Sequence, residues 1–173
     1  MESVEYVPLL EENLRAIPER PGVYMLRHLG IPVYVGKADD SVPLRLSRHH
    51  RTLTGRRHLS IEDMTFRCIT FDSTWNPLRP EEYLIEHYET GERDGWNDRG
   101  FGSNEPGENR GQTHLKAGNF YKRFPLRDDW PCATLLPGEY ACLDLPRAIK
   151  AAVPFYFKFQ GNRVEGSRDK RNR

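Results

Sequence analysis

The chain has 173 residues, of which 29% are charged and 37% apolar, and its formal net charge is +1 at pH 7. This length is enough for one domain with a hydrophobic core and too short to promise two, and the composition is typical of a globular protein with polar loops. No apolar run reaches the length of a membrane span and the acidic N-terminus lacks the features of a signal peptide, so we expect a cytoplasmic protein.

The cysteines and the charge give further limits. Cys68, Cys132 and Cys142 are odd in number and lack CxxC spacing, which argues against a disulfide framework or a structural zinc site and predicts reduced, partly buried thiols. The small net charge argues mildly against a simple electrostatic binder of nucleic acid. Its distribution is uneven, however, because five arginines and no acid lie between Arg45 and Arg57, whereas carboxylates dominate from Glu81 to Asp98.

The N-terminal part of the chain predicts a helix and then a hairpin. Apolar residues recur at helical spacing within the first 20 residues, up to Pro18. Two β-type runs follow, 23–26 and 33–35, joined by a short connection that contains a glycine, which predicts antiparallel strands. A turn centred on Leu29 would set Tyr24 and Tyr34 opposite one another on one face of the sheet. The sequence therefore predicts two phenol groups in cross-strand contact.

A helix is predicted after the hairpin. Ser41 can cap its N-terminus, Pro43 suits its first turn, and the helix should run to about Leu53. Arg45 and His49 are four positions apart and therefore neighbours on one helix face.

A third strand and a second helix come next. The β-branched and aromatic run Met64–Phe71 predicts the strand, and a helix should start near Pro80 and end before Gly91. The apolar stripe of this helix extends backward onto Glu81. Burying an ionised carboxylate is costly unless a cation or several donors meet it, so Glu81 needs a partner, and a metal ion is one candidate.

The remaining residues form an extension. The Gly-rich stretch from Gly100 to Arg110 predicts a loop, and Asn119–Arg127 interleaves aromatic residues with cations. Residues Ala148–Gln160 predict a helical turn and then a strand, Pro154–Phe159. The basic segment 161–173 is predicted to be flexible.

Two tripeptides in the hairpin resemble a known signature. The sequences GVY at 22–24 and YVG at 34–36 are similar to the two halves of the motif of the GIY-YIG nuclease superfamily, with valine in place of isoleucine. Members of that family also have an arginine on the following helix, often a His or Tyr one turn later, a glutamate three residues before a Leu-Ile pair, and an asparagine beyond the second helix. In this chain the corresponding residues are Arg45, His49, Glu81 and Asn97.

The chain departs from the family pattern at two points. Arg45 falls about one residue later than in the shortest members, which leaves Arg48 as an alternative. The link between the second helix and Asn97 is also longer than usual.

The resemblance implies a fold and a division of the chain. We expect an α+β protein with a small, mainly antiparallel sheet flanked by helices, in a single domain. Residues 1–20 would be an N-terminal helical segment, 21–97 the GIY-YIG core, 98–160 an extension for DNA contact or dimerisation, and 161–173 a flexible basic tail.

It also implies a chemistry of phosphodiester hydrolysis with Mg²⁺ or Mn²⁺ as cofactor. Glu81 would be the metal ligand and Arg45 would neutralise charge on the phosphate. Tyr24 would be the general base, with Lys37, Arg45 and the metal ion favouring its phenolate form, and His49 could take the proton directly or through Tyr24. Tyr34 would orient the water or the phosphate, and Asn97 completes the predicted catalytic set.

Features outside the core favour one branch of the family. The stretch Gly100–Arg110 is similar to a GFG…PG…R segment of GIY-YIG restriction endonucleases, which predicts a type II enzyme that cuts both strands of a short site in double-stranded DNA. Palindromic sites are matched by two-fold symmetric proteins, so we expect a homodimer. The predicted DNA contacts are Arg48, Arg99, Arg110, Lys122 and Arg123.

Other interpretations stay open at this point. The chain could be a less specific GIY-YIG nuclease of phage defence or DNA repair, a DNA-binding module without catalysis, or a structural protein on a small α/β scaffold. Each residue also has a plainer role when taken alone: Tyr24 and Tyr34 as ordinary strand residues, Glu81 as a partner of the helix dipole, and Asn97 as a cap. The functional interpretation depends on the ordered combination.

Overall fold

A four-stranded antiparallel sheet lies at the centre of the structure, a computed structural model that describes residues 4–72, 78–92, 95–102, 114–141 and 144–154. The strand order is β1-β4-β2-β3. In chain order the elements are β1 (Val7–Pro8), α1 (Glu11–Arg15), β2 (Gly22–His28), β3 (Ile31–Ala38), α2 (Val42–Thr54), β4 (Met64–Thr70), α3 (Leu78–His87), α4 (Phe120–Arg123) and α5 (Asp144–Ala152).

Both faces of the sheet are buried, as the alternation of side chains along β2 requires. Tyr24 and Leu26 point to the face covered by α1 and α2, whereas Val23 and Met25 point to the face covered by α3. A strand buried on both faces needs apolar residues at every position, which explains the unbroken run in β2. The predicted α+β class, with a mainly antiparallel sheet flanked by helices, is confirmed.

The register of the hairpin differs from the predicted one. The turn consists of Leu29–Gly30, both with positive φ angles of 52° and 79°, and the register shifts after Leu26. Tyr24 therefore pairs with Gly36, and Leu26 pairs with Tyr34. The prediction that the two tyrosines are directly opposite is wrong, because a two-residue turn and a bulge fix the pairing. They still share one face, as diagonal neighbours with ring centroids 6.2 Å apart.

The first 20 residues contain a short strand that the periodicity did not predict. Val7 and Pro8 pair with β4, and the amide of Leu9 donates to the carbonyl of Met64 before the chain enters α1. A two-residue strand is too short to show alternation, so only its tertiary pairing defines it. The predicted helix is shorter than the apolar spacing indicated, since α1 spans five residues.

The other elements follow the predictions closely. Ser41 caps α2 and its hydroxyl accepts from the Leu44 amide at 3.4 Å, and β4 begins at Met64 as expected. Helix α3 starts at Leu78, two residues before the predicted start, and ends at His87.

Several predicted features lie outside the described residues. They are most of the Gly-rich loop, almost all of the strand Pro154–Phe159, the basic tail and Cys142. The other two cysteines, Cys68 and Cys132, are free and partly buried, as predicted. None of the described helices has both the length and the apolar character that a bilayer span requires.

The edge of β3 is covered by the segment 95–97. The amide of Trp96 donates to the carbonyl of Val33 at 2.6 Å. The side chain of Asn97 then binds both backbone groups of Val35, with distances of 2.9 Å to its nitrogen and 2.8 Å to its oxygen. The side chain of Asn97 thus makes the hydrogen bonds that a neighbouring strand would make, and it covers the outer edge of the sheet.

Replacing this side chain should destabilise the protein. Asn97→Ala leaves two buried backbone groups without these partners, and we expect a loss of roughly 2–4 kcal/mol in the free energy of unfolding. Urea denaturation would measure the loss. Asn13→Ala, which removes one exposed hydrogen bond to the carbonyl of Pro8, is the control and should cost less than about 1 kcal/mol. Equal losses for the two variants would contradict the proposed role of Asn97.

Candidate active site

A cleft of about 360 Å³ opens where α2, α3 and the end of β3 meet. It is polar and contains charges of both signs. Its lining residues are Tyr34, Lys37, Ala38, Asp39, Asp40, Ser41, Leu44, Arg45, Arg48 and Glu81. Four predicted catalytic residues and one predicted DNA contact therefore share this cleft.

Two more predicted residues form a pair in the protein interior. The hydroxyl of Tyr24 on β2 lies 2.7 Å from Nε2 of His49 on α2. Tyr24 is completely buried and His49 is 4% exposed. The ring of Tyr34, which reaches the cleft wall, contacts both, with centroids 6.2 Å from Tyr24 and 5.5 Å from His49. The structure thus joins cleft and interior through three neighbouring rings.

Burial controls the protonation of this pair. It lowers the pKa of His49 to about 3, with further lowering by the positive charges of Arg45 and Arg48, so the imidazole is neutral at pH 7. The same burial raises the pKa of Tyr24 well above 10, and Tyr34 raises it further, whereas Arg45 lowers it. Arg45 thus favours the phenolate form of Tyr24, as predicted, but in the free protein dehydration of the phenol outweighs the guanidinium.

Arg45 lies between the cleft and the buried pair. Its charge acts on both Tyr24 and Tyr34, and its Nη2 donates to the carbonyl of Gly102. Its Nε is buried and lacks a hydrogen-bond partner within the described part of the chain. Arg48, the alternative arginine, lines the same cleft but is exposed. The geometry favours Arg45 as the arginine coupled to the tyrosines.

Gly36 makes room for the two tyrosine rings. A Cβ added at this position would lie 2.5 Å from the hydroxyl oxygen of Tyr24 and 2.7 Å from Cε1 of Tyr34. Because Gly36 faces Tyr24 across the hairpin, any side chain here would displace the hydroxyl that meets His49. The second glycine of the motif is thus a steric requirement of the tyrosine pair.

Glu81 is the carboxylate that the sequence placed on the inner face of α3, and it lies in the cleft wall, half-buried. The backbone amide of Lys37 binds it, and burial raises its pKa although the Lys37 charge lowers it. No cluster of three or more His, Cys, Asp and Glu side chains suited to a metal occurs among the described residues. One carboxylate beside an open cleft fits a hard cation such as Mg²⁺, which keeps several waters and uses one or two protein carboxylates.

The remaining predicted residues lie elsewhere. Asn97 is at the edge of β3, where its amide binds Val35 and so supports the strand that presents Tyr34. Arg99 packs against Gly118, and Lys122 and Arg123 are exposed on α4. None of these four lines the cleft. Arg110 is outside the described residues.

Sequence reasoning missed the contribution of the GFG segment at 100–102 to this site. Phe101 is 3% exposed and stacks on His49 with centroids 4.8 Å apart, while its edge contact with Tyr34 is also 4.8 Å. Gly102 follows with φ of 88° and lies so close to Tyr34 that an added Cβ would be 2.2 Å from its hydroxyl. The glycines flanking one aromatic residue were the available signal, but they also predicted a plain loop.

Part of this chain is similar to two solved structures. The GIY-YIG N-terminal endonuclease domain of UvrC from Thermotoga maritima bound to magnesium is 25% identical over 45% of this chain and 88% of that chain, with a TM-score of 0.35. A point mutant of that domain bound to its catalytic divalent cation is 27% identical over 45% and 87%, also with a TM-score of 0.35. No family model matches the chain. No curated protein matches it.

The steric role of Gly36 can be tested directly. Gly36→Ala should lower the free energy of unfolding by about 1–3 kcal/mol and separate the Tyr24 hydroxyl from His49, because the new methyl group occupies the space of the phenol. Denaturation and a crystal structure of the variant would measure both effects. Gly138→Ala, where an added Cβ meets no described atom within 4 Å, is the control and should be neutral. An unchanged Tyr24–His49 distance in the Gly36 variant would contradict this interpretation.

The neutral state of His49 predicts a pH-dependent stability. Between its unfolded pKa of 6.5 and its folded pKa of about 3, the unfolded chain binds a proton that the native chain does not, so stability falls as the pH is lowered. From about pH 7 to about pH 5 this group should cost about 2 kcal/mol. The free energy of unfolding of the wild type and of His49→Gln, measured at both pH values, would test this, because the variant should lack this pH-dependent loss. If NMR showed the His49 ring of the native protein titrating near pH 6.5, this prediction would be wrong.

Proposed function

We propose that this protein is a divalent-cation-dependent endodeoxyribonuclease of the GIY-YIG type, which hydrolyses phosphodiester bonds in DNA. One observation supports the proposal most strongly. A buried hydrogen-bonded pair, Tyr24 and His49, adjoins a cleft whose wall presents Tyr34, Arg45 and Glu81. A proton acceptor, a cation and a carboxylate thus converge where a phosphodiester could bind, and these are the groups that its hydrolysis requires.

Proton transfer is assigned to the tyrosine and histidine. As water attacks phosphorus, its proton passes to the Tyr34 hydroxyl on the cleft wall, Tyr34 gives its own proton to the buried Tyr24 hydroxyl, and Tyr24 passes its own to Nε2 of His49. This requires the imidazole tautomer with its proton on Nδ1. The low pKa of His49 keeps Nε2 free to accept at neutral pH. Tyr24 therefore acts as a neutral phenol that transmits a proton and not as a preformed phenolate.

We assign to Arg45 the neutralisation of negative charge on the phosphate. Its guanidinium is half-buried, so its interaction with a bound phosphate is less screened than at the surface. Arg45 also acts on both tyrosines through its charge, which supports a role for that charge beside the attacking water. Arg48, Arg99, Lys122 and Arg123 are proposed contacts to the DNA backbone outside the reacting phosphate.

The divalent cation, Mg²⁺ or Mn²⁺, would be held by Glu81. When bound, the cation supplies positive charge to the phosphate oxygens and to the departing alkoxide. The Lys37 amide orients the carboxylate. The Lys37 side chain forms an ion pair with Asp39 at 3.3 Å and keeps a second positive charge at the cleft.

We further propose that the enzyme is a type II restriction endonuclease and acts as a homodimer on a short site in double-stranded DNA. The resemblance of Gly100–Arg110 to the restriction branch supports this. The described part of that stretch packs on Tyr34 and His49 through Phe101. A less specific GIY-YIG nuclease of phage defence or DNA repair would use the same cleft and the same chemistry.

Two variants test the catalytic assignment. Glu81→Gln removes the metal-binding charge and Tyr24→Phe removes the proton donor to His49, so each should lower the single-turnover rate of Mg²⁺-dependent plasmid cleavage by roughly 10²-fold or more. Matched controls are Glu82→Gln and Tyr83→Phe, which change exposed neighbours on α3 and should cleave normally. Normal turnover by Glu81→Gln or Tyr24→Phe would overturn the assignment.

The products of wild-type cleavage separate the proposals. Incubation of the protein with long unmethylated DNA and Mg²⁺ should give discrete bands on a gel, and EDTA should abolish them. Sequencing of the fragment ends would then give the recognition site. A smear would retain the nuclease and remove the restriction assignment. Salt-sensitive DNA binding without cleavage would favour a binding module.

A further inference from the structure

Phe101 forms one wall of the chamber that holds the buried tyrosine–histidine pair. Its ring stacks on His49 at 4.8 Å with an interplanar angle of 28°, and it meets Tyr34 edge-on at 4.8 Å and 85°. It is the one aromatic side chain from the extension that the structure places against both rings, within the described residues. A segment distant in sequence thus completes the surroundings of the catalytic pair.

Phe101 is itself held firmly. Trp96 and Phe120 contact it with centroids 5.1 Å and 4.6 Å away. The backbone before it is fixed by the Phe120 amide, which donates to the Arg99 carbonyl at 2.8 Å. After it, the carbonyl of Gly102 accepts from Arg45. The ring therefore has little freedom to leave His49.

Polar and charged groups also face His49. Tyr24 on β2 binds its Nε2, Tyr34 on β3 contacts its ring edge, and Arg45 and Arg48 on its own helix act on it through their charges. Phe101 covers one face of the imidazole with an apolar surface. Water excluded by that surface would otherwise solvate the imidazole.

We infer that Phe101 is a positioning residue that keeps His49 dry, fixed and ready to accept the proton of Tyr24. The catalytic role of Phe101 rests on the proposed function. The contact between Phe101 and His49 does not depend on it. Phe101 is buried, lies outside the cleft lining and acts through His49. Its loss should therefore alter the pH dependence of the reaction more than the binding of DNA.

The test substitutes leucine for phenylalanine at two positions of the same aromatic cluster. Phe101→Leu removes the ring stacked on His49, whereas Phe124→Leu removes a buried ring that contacts Trp96 and Phe120. NMR titration of the His49 ring should show its pKa rising by about one unit or more toward 6.5 in Phe101→Leu and staying low in Phe124→Leu. If Phe101→Leu does not fold, Phe101→Met, which keeps more apolar volume, replaces it.

The pH profile of single-turnover cleavage gives a second readout. The acid limb of the profile should move to higher pH in Phe101→Leu, because protonated His49 cannot accept from Tyr24, while the DNA concentration for half-maximal rate stays the same. An unchanged His49 titration, or an equal shift in Phe124→Leu, would overturn the inference. Absence of cleavage by the wild type would instead refute the proposed function, and the NMR titration would still test the contact.

Discussion

The hydrogen bond between Tyr24 and His49 is the constraint on which the site depends. A phenol and an imidazole are both withdrawn from water here, and each would be costly to bury without a polar partner. The bond joins β2 to α2, so the helix must dock with one face on the sheet at a fixed height. Gly36 gives the phenol the space it needs on the opposing strand. Motif residues that look like separate features of the sequence are therefore parts of one packing arrangement.

Burial also sorts the functional groups by charge. The buried pair of the proposed site is neutral, because dehydration raises the pKa of Tyr24 and lowers that of His49. The charged groups, Arg45 and Glu81 among them, lie in the wall of the cleft where solvent or substrate can meet them. This arrangement suits proton transfer through neutral hydroxyls toward a neutral base and electrostatic stabilisation at the surface. A more acidic tyrosine in the free protein is not needed for such a mechanism.

The segment 95–102 links the sheet edge to the site. Trp96 and Asn97 cover the open edge of β3 by hydrogen bonds, and four residues later Phe101 enters the core against His49. The connection between α3 and this segment is long. It is compatible with these contacts, because the hydrogen bonds to β3 hold the segment in place whatever path the connection takes. The residue that the family resemblance placed in the catalytic set, Asn97, thereby holds the strand that presents Tyr34. Its influence on the cleft passes through that strand.

The sequence by itself determined the elements whose signals are local. The unbroken apolar run of β2, the capped helix after Ser41, the spacing of Arg45 and His49, and the inward position of Glu81 all follow from periodicities of two or 3.6 residues. Only the tertiary structure decided the diagonal register of the tyrosines, the protonation of the buried pair, the pairing of Asn97 with Val35 and the stacking of Phe101. Each of these depends on a bulge, on dehydration or on contact between distant segments. Local patterns do not encode such effects, because the free energy that sets them arises when separate elements pack together.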